Sequence, residues 1–244
     1  MTDSQEIRFA FFGTPELAVQ SLEQLKKSGR IPSLVITAPD RPQGRGMAIT
    51  PPPVKVWAEQ HVVMVLQPQK IDTDFISALS EQEWDVFIVA AYGKILPKAL
   101  LEIPRRGTLN VHPSLLPRLR GPSPIVSAIL NDEKEVGVSI MLLDEEMDHG
   151  PVVAQKKIAI TDWPPYASEL ETVLATEGGT LLAQVLEPWV FGEIESAPQN
   201  HELATYCKKI QKEDGLISLS NDAHANPLNI RALERGSGAY TSFA

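Results

Sequence analysis

Cysteine is nearly absent from this chain of 244 residues, since Cys207 is the only one. A single thiol excludes an intrachain disulfide and any metal centre built from several cysteines. Long apolar runs are also missing, because none approaches the roughly 18 consecutive residues of a membrane-spanning helix. The first six residues are polar and partly acidic, unlike the basic and apolar regions of a signal peptide. We therefore expect a globular, cytoplasmic protein that neither spans nor binds a membrane.

A glycine-rich dinucleotide signature is missing as well. Gly13 precedes a predicted helix, but no second and third glycine follow at G-x-G-x-x-G spacing, which disfavours a nicotinamide dinucleotide site. A turn at Gly13 and Thr14 could still present backbone amides to an anion or a carbonyl. Thr14 as a helix cap, with Pro15 at the first helical position, would explain the same residues equally well. Both interpretations remain open at this point.

Positive charge is scarce and unevenly distributed. The chain has 22 Lys and Arg against 31 Asp and Glu, a net charge of −9. Residues 1–120 carry 14 basic against 12 acidic side chains, whereas residues 121–244 carry 8 against 19. Because phosphate neutralisation supplies much of the affinity for nucleic acids, any RNA-facing surface is expected on the N-terminal half.

Short β-rich runs alternate with helical stretches along the chain. The predicted strands are residues 7–12, 34–37, 62–66, 86–90, 108–111 and 136–143, and the predicted helices are residues 15–27, 54–60, 74–79, 97–102 and 124–130. This order predicts an α/β, doubly wound, Rossmann-like fold: a mostly parallel sheet with helices on both faces, and a short C-terminal extension. Ligands of such sheets bind beyond the carboxyl ends of strands, where Gly13, Tyr92 and Asn110 fall.

Asn110 and His112 alternate in one of these extended runs, so their side chains point to the same side. Asp148, further along, offers a carboxylate that could orient the imidazole or take a proton. An amide donor, an imidazole and a carboxylate suit acyl transfer to an amine, in which negative charge grows on a carbonyl oxygen while nitrogen loses a proton. An isolated N-x-H pair is more often the end of a strand, but the proline-containing run that follows favours a site.

Several segments in register resemble one enzyme family. Asn110 and His112, followed by Ser114-Leu115-Leu116-Pro117, Gly121 and the later Asp148, resemble the formyltransferases that use 10-formyltetrahydrofolate. Four upstream segments narrow the resemblance to the methionyl-tRNA formyltransferase family, and it extends from about residue 7 to about residue 215. These segments are Phe12-Gly13-Thr14-Pro15-Glu16, Asp40-Arg41-Pro42-Gln43-Gly44-Arg45-Gly46, Pro53-Val54-Lys55-Val56 and Ala90-Ala91-Tyr92-Gly93-Lys94-Ile95-Leu96-Pro97.

The resemblance implies a role for each matching residue. Asn110, His112 and Asp148 would be the catalytic residues, with the amino group of methionyl-tRNA attacking the formyl carbon of 10-formyltetrahydrofolate. The residues implied in binding this co-substrate are Ala90, Tyr92, Gly93, Ile95, Leu96, Ser114, Leu115, Leu116, Pro117, Met147 and His149. Those implied in binding the acceptor are Gly13, Thr14, Arg41 and Arg45. No metal is expected, because an acidic surface turn explains residues 144–149 better than a metal site does.

Residues 39–53 are rich in glycine and proline and contain Arg41 and Arg45. This composition excludes a helix or a central strand and predicts a loop over the sheet edge near Gly13. A solvated linker is the alternative, although loops of this length are usually functional. By resemblance, the loop enters the groove of the acceptor tRNA, with Arg45 as the key contact. The lysines common in that family's loop are missing here, so weaker RNA affinity is expected.

The end of the chain is expected to be organised differently. We predict a catalytic domain at residues 1–192, a linker at 193–212 and a remnant of a tRNA-binding domain at 213–244, because the family continues into a β-barrel that this chain is too short to contain. A monomer is expected. Two alternatives remain: a formyltransferase for a small amine such as an amino-sugar nucleotide, and a folate- or RNA-binding module without turnover. Arg118 and Arg120 could support the site, contact RNA phosphate or be merely solvated.

Overall fold

A seven-stranded sheet forms the centre of the computed structural model, which describes residues 7–44, 46–218, 223–235 and 238–241. The strands of the described residues are β1 (Phe9–Gly13), β2 (Leu34–Ile36), β3 (Arg41–Gln43), β4 (Ala48–Thr50), β5 (Met64–Leu66), β6 (Val86–Ala90), β7 (Thr108–His112), β8 (Val136–Leu142) and β9 (Val152–Ile158). The sheet order is β5-β2-β1-β6-β7-β8-β9. Strands β5, β2, β1, β6 and β7 are parallel to one another, whereas β8 is antiparallel to β7 and β9 is antiparallel to β8.

Helices cover both faces of this sheet, as predicted. They are α1 (Glu16–Lys27), α2 (Pro53–Gln60), α3 (Thr73–Ser80), α4 (Lys98–Leu101), α5 (Pro124–Leu130), α6 (Ala167–Phe191) and α7 (Ala225–Ala232). Side chains of β1 alternate between the two faces: Phe9 and Phe11 join the core under α1, α2 and α6, whereas Ala10 and Phe12 join the core under α3 and α4. This two-sided burial explains why β1 and β6 are apolar throughout.

The register of the central strands determines where a site can form. Gly13 of β1 lies opposite Ala90 of β6, and Val89 of β6 lies opposite Asn110 of β7. The carboxyl ends of these three parallel strands therefore meet at one edge of the sheet. This arrangement places the turns after Gly13 and Ala90 beside the polar end of β7, as predicted.

Three elements differ from the sequence prediction. No element was predicted between residues 144 and 192, where the structure has strand β9 and the 25-residue helix α6. Residues 39–53 are not an irregular loop, because β3 and β4 pair as an exposed antiparallel hairpin and Pro53 begins α2. Pro42 is compatible with this hairpin because a two-stranded ribbon has free edges that do not require its missing N–H group. Arg45 lies outside the described residues.

None of the described helices is long and apolar enough to cross a bilayer.

Candidate active site

A cavity of about 990 Å³ opens at the carboxyl ends of β6 and β7. The turn after β6 and the loop of residues 143–148 line one side, and the start of α5 lines another. Side chains of α6, of residues 210–212 and of the segment at the end of α7 close a further side. The lining includes Tyr92, Gly93, Lys94, Ile95, Leu96, Asn110, His112, Pro124, Ile125, Met147, Asp148, Glu171 and Leu233.

His112 is the last residue of β7, and its side chain is only 5% exposed. Its Nε2 donates a hydrogen bond to the carbonyl oxygen of Leu119 at 3.0 Å. Because a carbonyl only accepts, this contact assigns the proton of a neutral imidazole to Nε2. The lone pair of Nδ1 then faces Asp148, whose Oδ1 lies 3.6 Å away.

Asp148 occupies the loop between β8 and β9, and its backbone has a positive φ of 50°. Its Oδ2 accepts a hydrogen bond from the backbone N–H of Gly121 at 2.7 Å. Gly121 has a φ of 114°, and a Cβ there would lie 2.4 Å from the carbonyl oxygen of Cys207, so no larger residue fits. One carboxylate oxygen is thus anchored, while the other faces the imidazole.

Asn110 precedes His112 by two residues on the same strand, which places the two side chains on one side at a spacing of roughly 7 Å. Its side chain lines the cavity and is half-buried. Among the described residues, no hydrogen bond to its amide group is found. The amide is therefore available to donate to a ligand, in contrast to the anchored imidazole and carboxylate.

The run Ser114, Leu115, Leu116 and Pro117 follows the end of β7 and does not line the cavity. Ser114 Oγ donates to the carbonyl oxygen of Arg118 at 2.6 Å, which closes a turn. Ser139 Oγ accepts from the N–H of Leu116 at 3.1 Å and donates to the carbonyl oxygen of Ser114 at 2.6 Å. The predicted contact of these four residues with a co-substrate therefore stays a prediction. The turn that they form brings Leu119 to His112.

The turn after β1 is connected to the turn after β6. Thr14 Oγ1 donates to the carbonyl oxygen of Tyr92 at 3.2 Å, so of the two open interpretations the one in which Thr14 caps α1 does not hold. Pro15 occupies the N-cap position of α1, and no side chain caps this helix end with a hydrogen bond. Gly13 is buried beside Ala90, and both lie beneath the cavity wall rather than in it.

Most of the residues after β6 that are implied in binding the co-substrate line the cavity. Tyr92, Gly93, Ile95 and Leu96 contribute to the lining, with Ile95 90% exposed and Leu96 buried. Tyr92 packs edge-on against Phe12, and burial raises the pKa of its phenol to about 12. Met147 lines the opposite side and is 58% exposed. Apolar surface on two sides suits a flat heterocycle.

The exposed hairpin β3–β4 starts at Arg41, whose charge acts on Lys94 in the cavity lining. Lys94 Nζ donates to the carbonyl oxygens of Pro68 and Gln69, and burial together with the nearby charge of Arg41 lowers the pKa of Lys94. The hairpin follows Asp40, whose carboxylate accepts from Lys55 Nζ at 2.7 Å and from Gln67. These bonds lower the pKa of Asp40. Lys94 in the cavity lining and Arg41 of the hairpin therefore lie close enough to interact electrostatically.

His149 is not among the residues that line the cavity, and its predicted contact with the co-substrate stays a prediction. Its Nδ1 donates to Asp144 Oδ2 at 2.7 Å, and its ring stacks on His201 with a centroid distance of 4.2 Å. Within the described parts of the chain, no group of three or more His, Cys, Asp or Glu side chains is arranged to hold a metal ion.

The two arginines of the site loop have different environments. Arg118 is half exposed and pairs with Glu133 at 2.8 Å. Arg120 is 1% exposed and contacts Gln199, His201 and Tyr206, which all follow α6. Gln199 is not recognisable from the sequence, because nothing in a short segment between two polar stretches marks its side chain as buried.

A cavity at the carboxyl ends of parallel strands, with an amide, an imidazole and a carboxylate at its base, defines a group-transfer enzyme. A model of the formyl transferase family matches residues 7–186, and the chain belongs to that family. It is an enzyme that transfers formyl groups.

Among its relatives, the methionyl-tRNA formyltransferase of Chloroflexus aurantiacus is 47% identical over 238 residues, which cover 96% of this chain and 76% of that one. The methionyl-tRNA formyltransferase of Halalkalibacterium halodurans is 41% identical over 236 residues, 96% of this chain and 74% of that one. An N-formyltransferase from Helicobacter canadensis, solved with folinic acid and dTDP-3-aminofucose, has the same fold with a TM-score of 0.70, at 20% identity over 93% of this chain and 80% of that one.

Proposed function

We propose that the protein transfers the formyl group of 10-formyltetrahydrofolate to the amino group of methionyl-tRNA, the step that prepares the initiator tRNA for translation. The observation that carries this proposal is the arrangement of Asn110, His112 and Asp148 at the base of one cavity. The identity to methionyl-tRNA formyltransferases along almost the whole chain supports the acceptor.

The dimensions and lining of the cavity support a folate donor. A volume of about 990 Å³ accommodates a drug-sized ligand, and Tyr92, Leu96 and Met147 provide apolar contact for a pterin ring. Backbone groups of the turn at Gly93 can pair with the polar edge of the ring. In this proposal, residues 114–117 shape the turn behind the site and Ile95 covers its mouth.

The three polar side chains divide the chemistry between them. The amide of Asn110 donates to the formyl oxygen as negative charge develops on it in the tetrahedral adduct. The lone pair of His112 Nδ1 takes a proton from the attacking nitrogen, and the Asp148 carboxylate stabilises the resulting imidazolium. The carbon–nitrogen bond to the donor then breaks, and the same proton moves from His112 to the leaving nitrogen of tetrahydrofolate. No covalent enzyme intermediate is needed.

Charge at the rim supports a large acceptor. Lys94 lines the cavity, the charge of Arg41 acts on it, and the hairpin that starts at Arg41 is exposed to solvent. Arginine suits phosphate because its planar guanidinium donates two parallel hydrogen bonds. A small amine would not reach this hairpin. A monomeric, cytoplasmic protein is part of the same proposal.

An acceptor competition tests the proposal. Purified protein is incubated with 10-formyltetrahydrofolate labelled in the formyl carbon, and with methionyl-tRNA and dTDP-3-aminofucose together. Label is expected in formyl-methionyl-tRNA. Label on the amino sugar instead would establish a small-amine transferase, and donor binding without transfer to either acceptor would indicate a binding module. Either result would overturn the proposed acceptor.

A further inference from the structure

The segment that follows α6 contacts two loops: the loop after β7, which holds the His112 side chain, and the loop between β8 and β9, which carries Asp148. We call residues 197–207 the strap. At one end, Ala197 and Val152 exchange two backbone hydrogen bonds of 2.8 Å, close behind the Asp148 loop. At the other end, the N–H of Arg120 donates to Thr205 and the N–H of Cys207 donates to Arg120, at 2.9 and 2.8 Å. The strap therefore connects the loop that orients His112 with the loop that carries Asp148.

Gln199 is the central side chain of the strap and is 93% buried, with an exposure of 7%. Its Nε2 donates to the carbonyl oxygens of Asp148 and Gly150 at 2.9 and 2.7 Å. Its Oε1 accepts from Nε and Nη2 of Arg120 at 3.0 and 2.6 Å. Both donors and both acceptor positions of the amide are used, so its orientation is determined by its neighbours.

Arg120 keeps that amide in place. Beyond Gln199, it donates to Tyr206 Oη at 3.2 Å and to His201 Nδ1 at 2.9 Å. Among the described residues, no carboxylate lies within ion-pair distance of its guanidinium. A buried cation that is held by neutral acceptors alone is costly for stability. Orientation of the strap explains this arrangement better than stabilisation does.

The backbone of Asp148 requires such support. A positive φ is unfavourable for a residue with a Cβ and persists when surrounding contacts hold it. The hydrogen bond from Gln199 to the carbonyl oxygen of Asp148 supplies that hold. The carboxylate can then contact Gly121 with one oxygen and face His112 with the other.

We propose that Gln199 and Arg120 are positioning residues for formyl transfer: Arg120 orients the Gln199 amide, and the amide holds Asp148 in the conformation in which its carboxylate faces His112. This inference rests on the proposed function. Neither side chain lines the cavity, so their effect on the reaction is exerted through Asp148.

Gln199→Glu separates positioning from folding. The new carboxylate pairs with Arg120, which preserves the fold, but it cannot donate to the carbonyl oxygens of Asp148 and Gly150. We expect kcat to fall about 10- to 100-fold, as for a small displacement of a catalytic group, with KM for the folate unchanged. Asn200→Asp makes the same chemical change one residue further along, at an exposed side chain that accepts from Glu202, and is expected to keep wild-type kcat.

A second readout needs no acceptor. Hydrogen exchange of the Gly121 amide, followed by NMR in the free protein, reports whether Asp148 Oδ2 still accepts from it. In Gln199→Glu, we expect its protection to fall about tenfold, as for one weakened hydrogen bond, while the Cys207 amide stays protected. Arg120→Lys, which keeps the charge but lacks the planar pair of donors, is expected to lower both kcat and Gly121 protection, and it replaces Gln199→Glu if that variant does not fold.

Two results would overturn the inference: wild-type kcat in Gln199→Glu, or unchanged protection of Gly121. Failure of the proposed function gives a different result. In that case the wild-type protein transfers no formyl group to methionyl-tRNA, whereas the exchange of the Gly121 amide still decides whether Gln199 positions Asp148.

Discussion

Asp148 Oδ1 lies 3.6 Å from His112 Nδ1, while the other ring nitrogen donates to the carbonyl oxygen of Leu119 at 3.0 Å. A separation of 3.6 Å is too long for a direct hydrogen bond. The lone pair of Nδ1 is therefore available for a proton released in the reaction, and the carboxylate is near enough to stabilise the imidazolium that results.

Asp148→Asn tests the contribution of that carboxylate. The amide oxygen can still accept from Gly121, so the loop is expected to keep its conformation, while the negative charge beside His112 is lost. We expect kcat to fall about 100- to 10,000-fold with little change in KM for either substrate. Steady-state kinetics measure both constants. Asp162→Asn, in an exposed turn before α6, is the control and should behave as wild type; equal kcat in the two variants would disprove the assignment.

Asn110→Asp removes a donor without changing the size of the side chain. The amide forms no hydrogen bond with the described residues, so the free energy of unfolding is expected to change little. Transfer should be about 100- to 1,000-fold slower, because a carboxylate repels the negative charge that develops on the formyl oxygen. Single-turnover rates and denaturant unfolding measure the two effects. Asn131→Asp, exposed at the end of α5, is the comparison, and wild-type rates in Asn110→Asp would exclude an oxyanion role.

Arg41→Gln tests the hairpin as an RNA contact. Affinity for methionyl-tRNA is expected to fall, and the slope of log K against log salt should decrease by about one, since one phosphate contact is lost. KM for the folate should not change. Arg105→Gln removes the same charge at the opposite edge of the sheet, where Arg105 pairs with Asp85, and should leave RNA binding unaffected. An unchanged salt dependence in Arg41→Gln would contradict this role.

Tyr92 predicts a pH dependence of stability. Burial raises its pKa from 10.0 to about 12, because the phenolate is poorly solvated there. The stabilisation linked to this group is fully present below pH 10 and is lost as pH rises towards 12. We expect the free energy of unfolding to decrease over that interval and to decrease less in Tyr92→Phe. Denaturant titrations across the interval measure this. Tyr166→Phe, at a more exposed tyrosine, should retain the wild-type decrease.

Much of the fold could be predicted locally. The runs that form β1 and β6 are recognisable because strands buried on both faces must be apolar along their whole length. Strand β9 was missed because it is an edge strand with consecutive exposed residues at 155–157. Helix α6 was missed because it contains a glycine pair and Pro188. A Cβ on Gly179 would lie 2.8 Å from the Cα of Ser21, so that glycine serves the contact with α1.

Some residues of the site could be predicted from the sequence and others could not. Asn110, His112 and Asp148 carry recognisable chemistry, and the structure brings them to one cavity. Residues 114–117 and Thr14 also belonged to recognisable motifs, but they form turns and contacts that support the site. Gln199 and the environment of Arg120 could not be predicted, because a buried hydrogen-bond network between segments about 80 residues apart leaves no local pattern.

The sequence by itself determined the order of the buried strands and most of the helices as far as β8, the polar side chains available for proton transfer and the family to which the chain belongs. The strands and helices depend on residue type and on neighbours a few positions away, and the family depends on short motifs in a fixed order. The tertiary structure alone decided which nitrogen of His112 faces Asp148, which motif residues reach the cavity and which lie behind it, and how Asp148 is held. These features depend on distances between segments that are remote in sequence. Tertiary packing sets those distances, and no local sequence pattern predicts them.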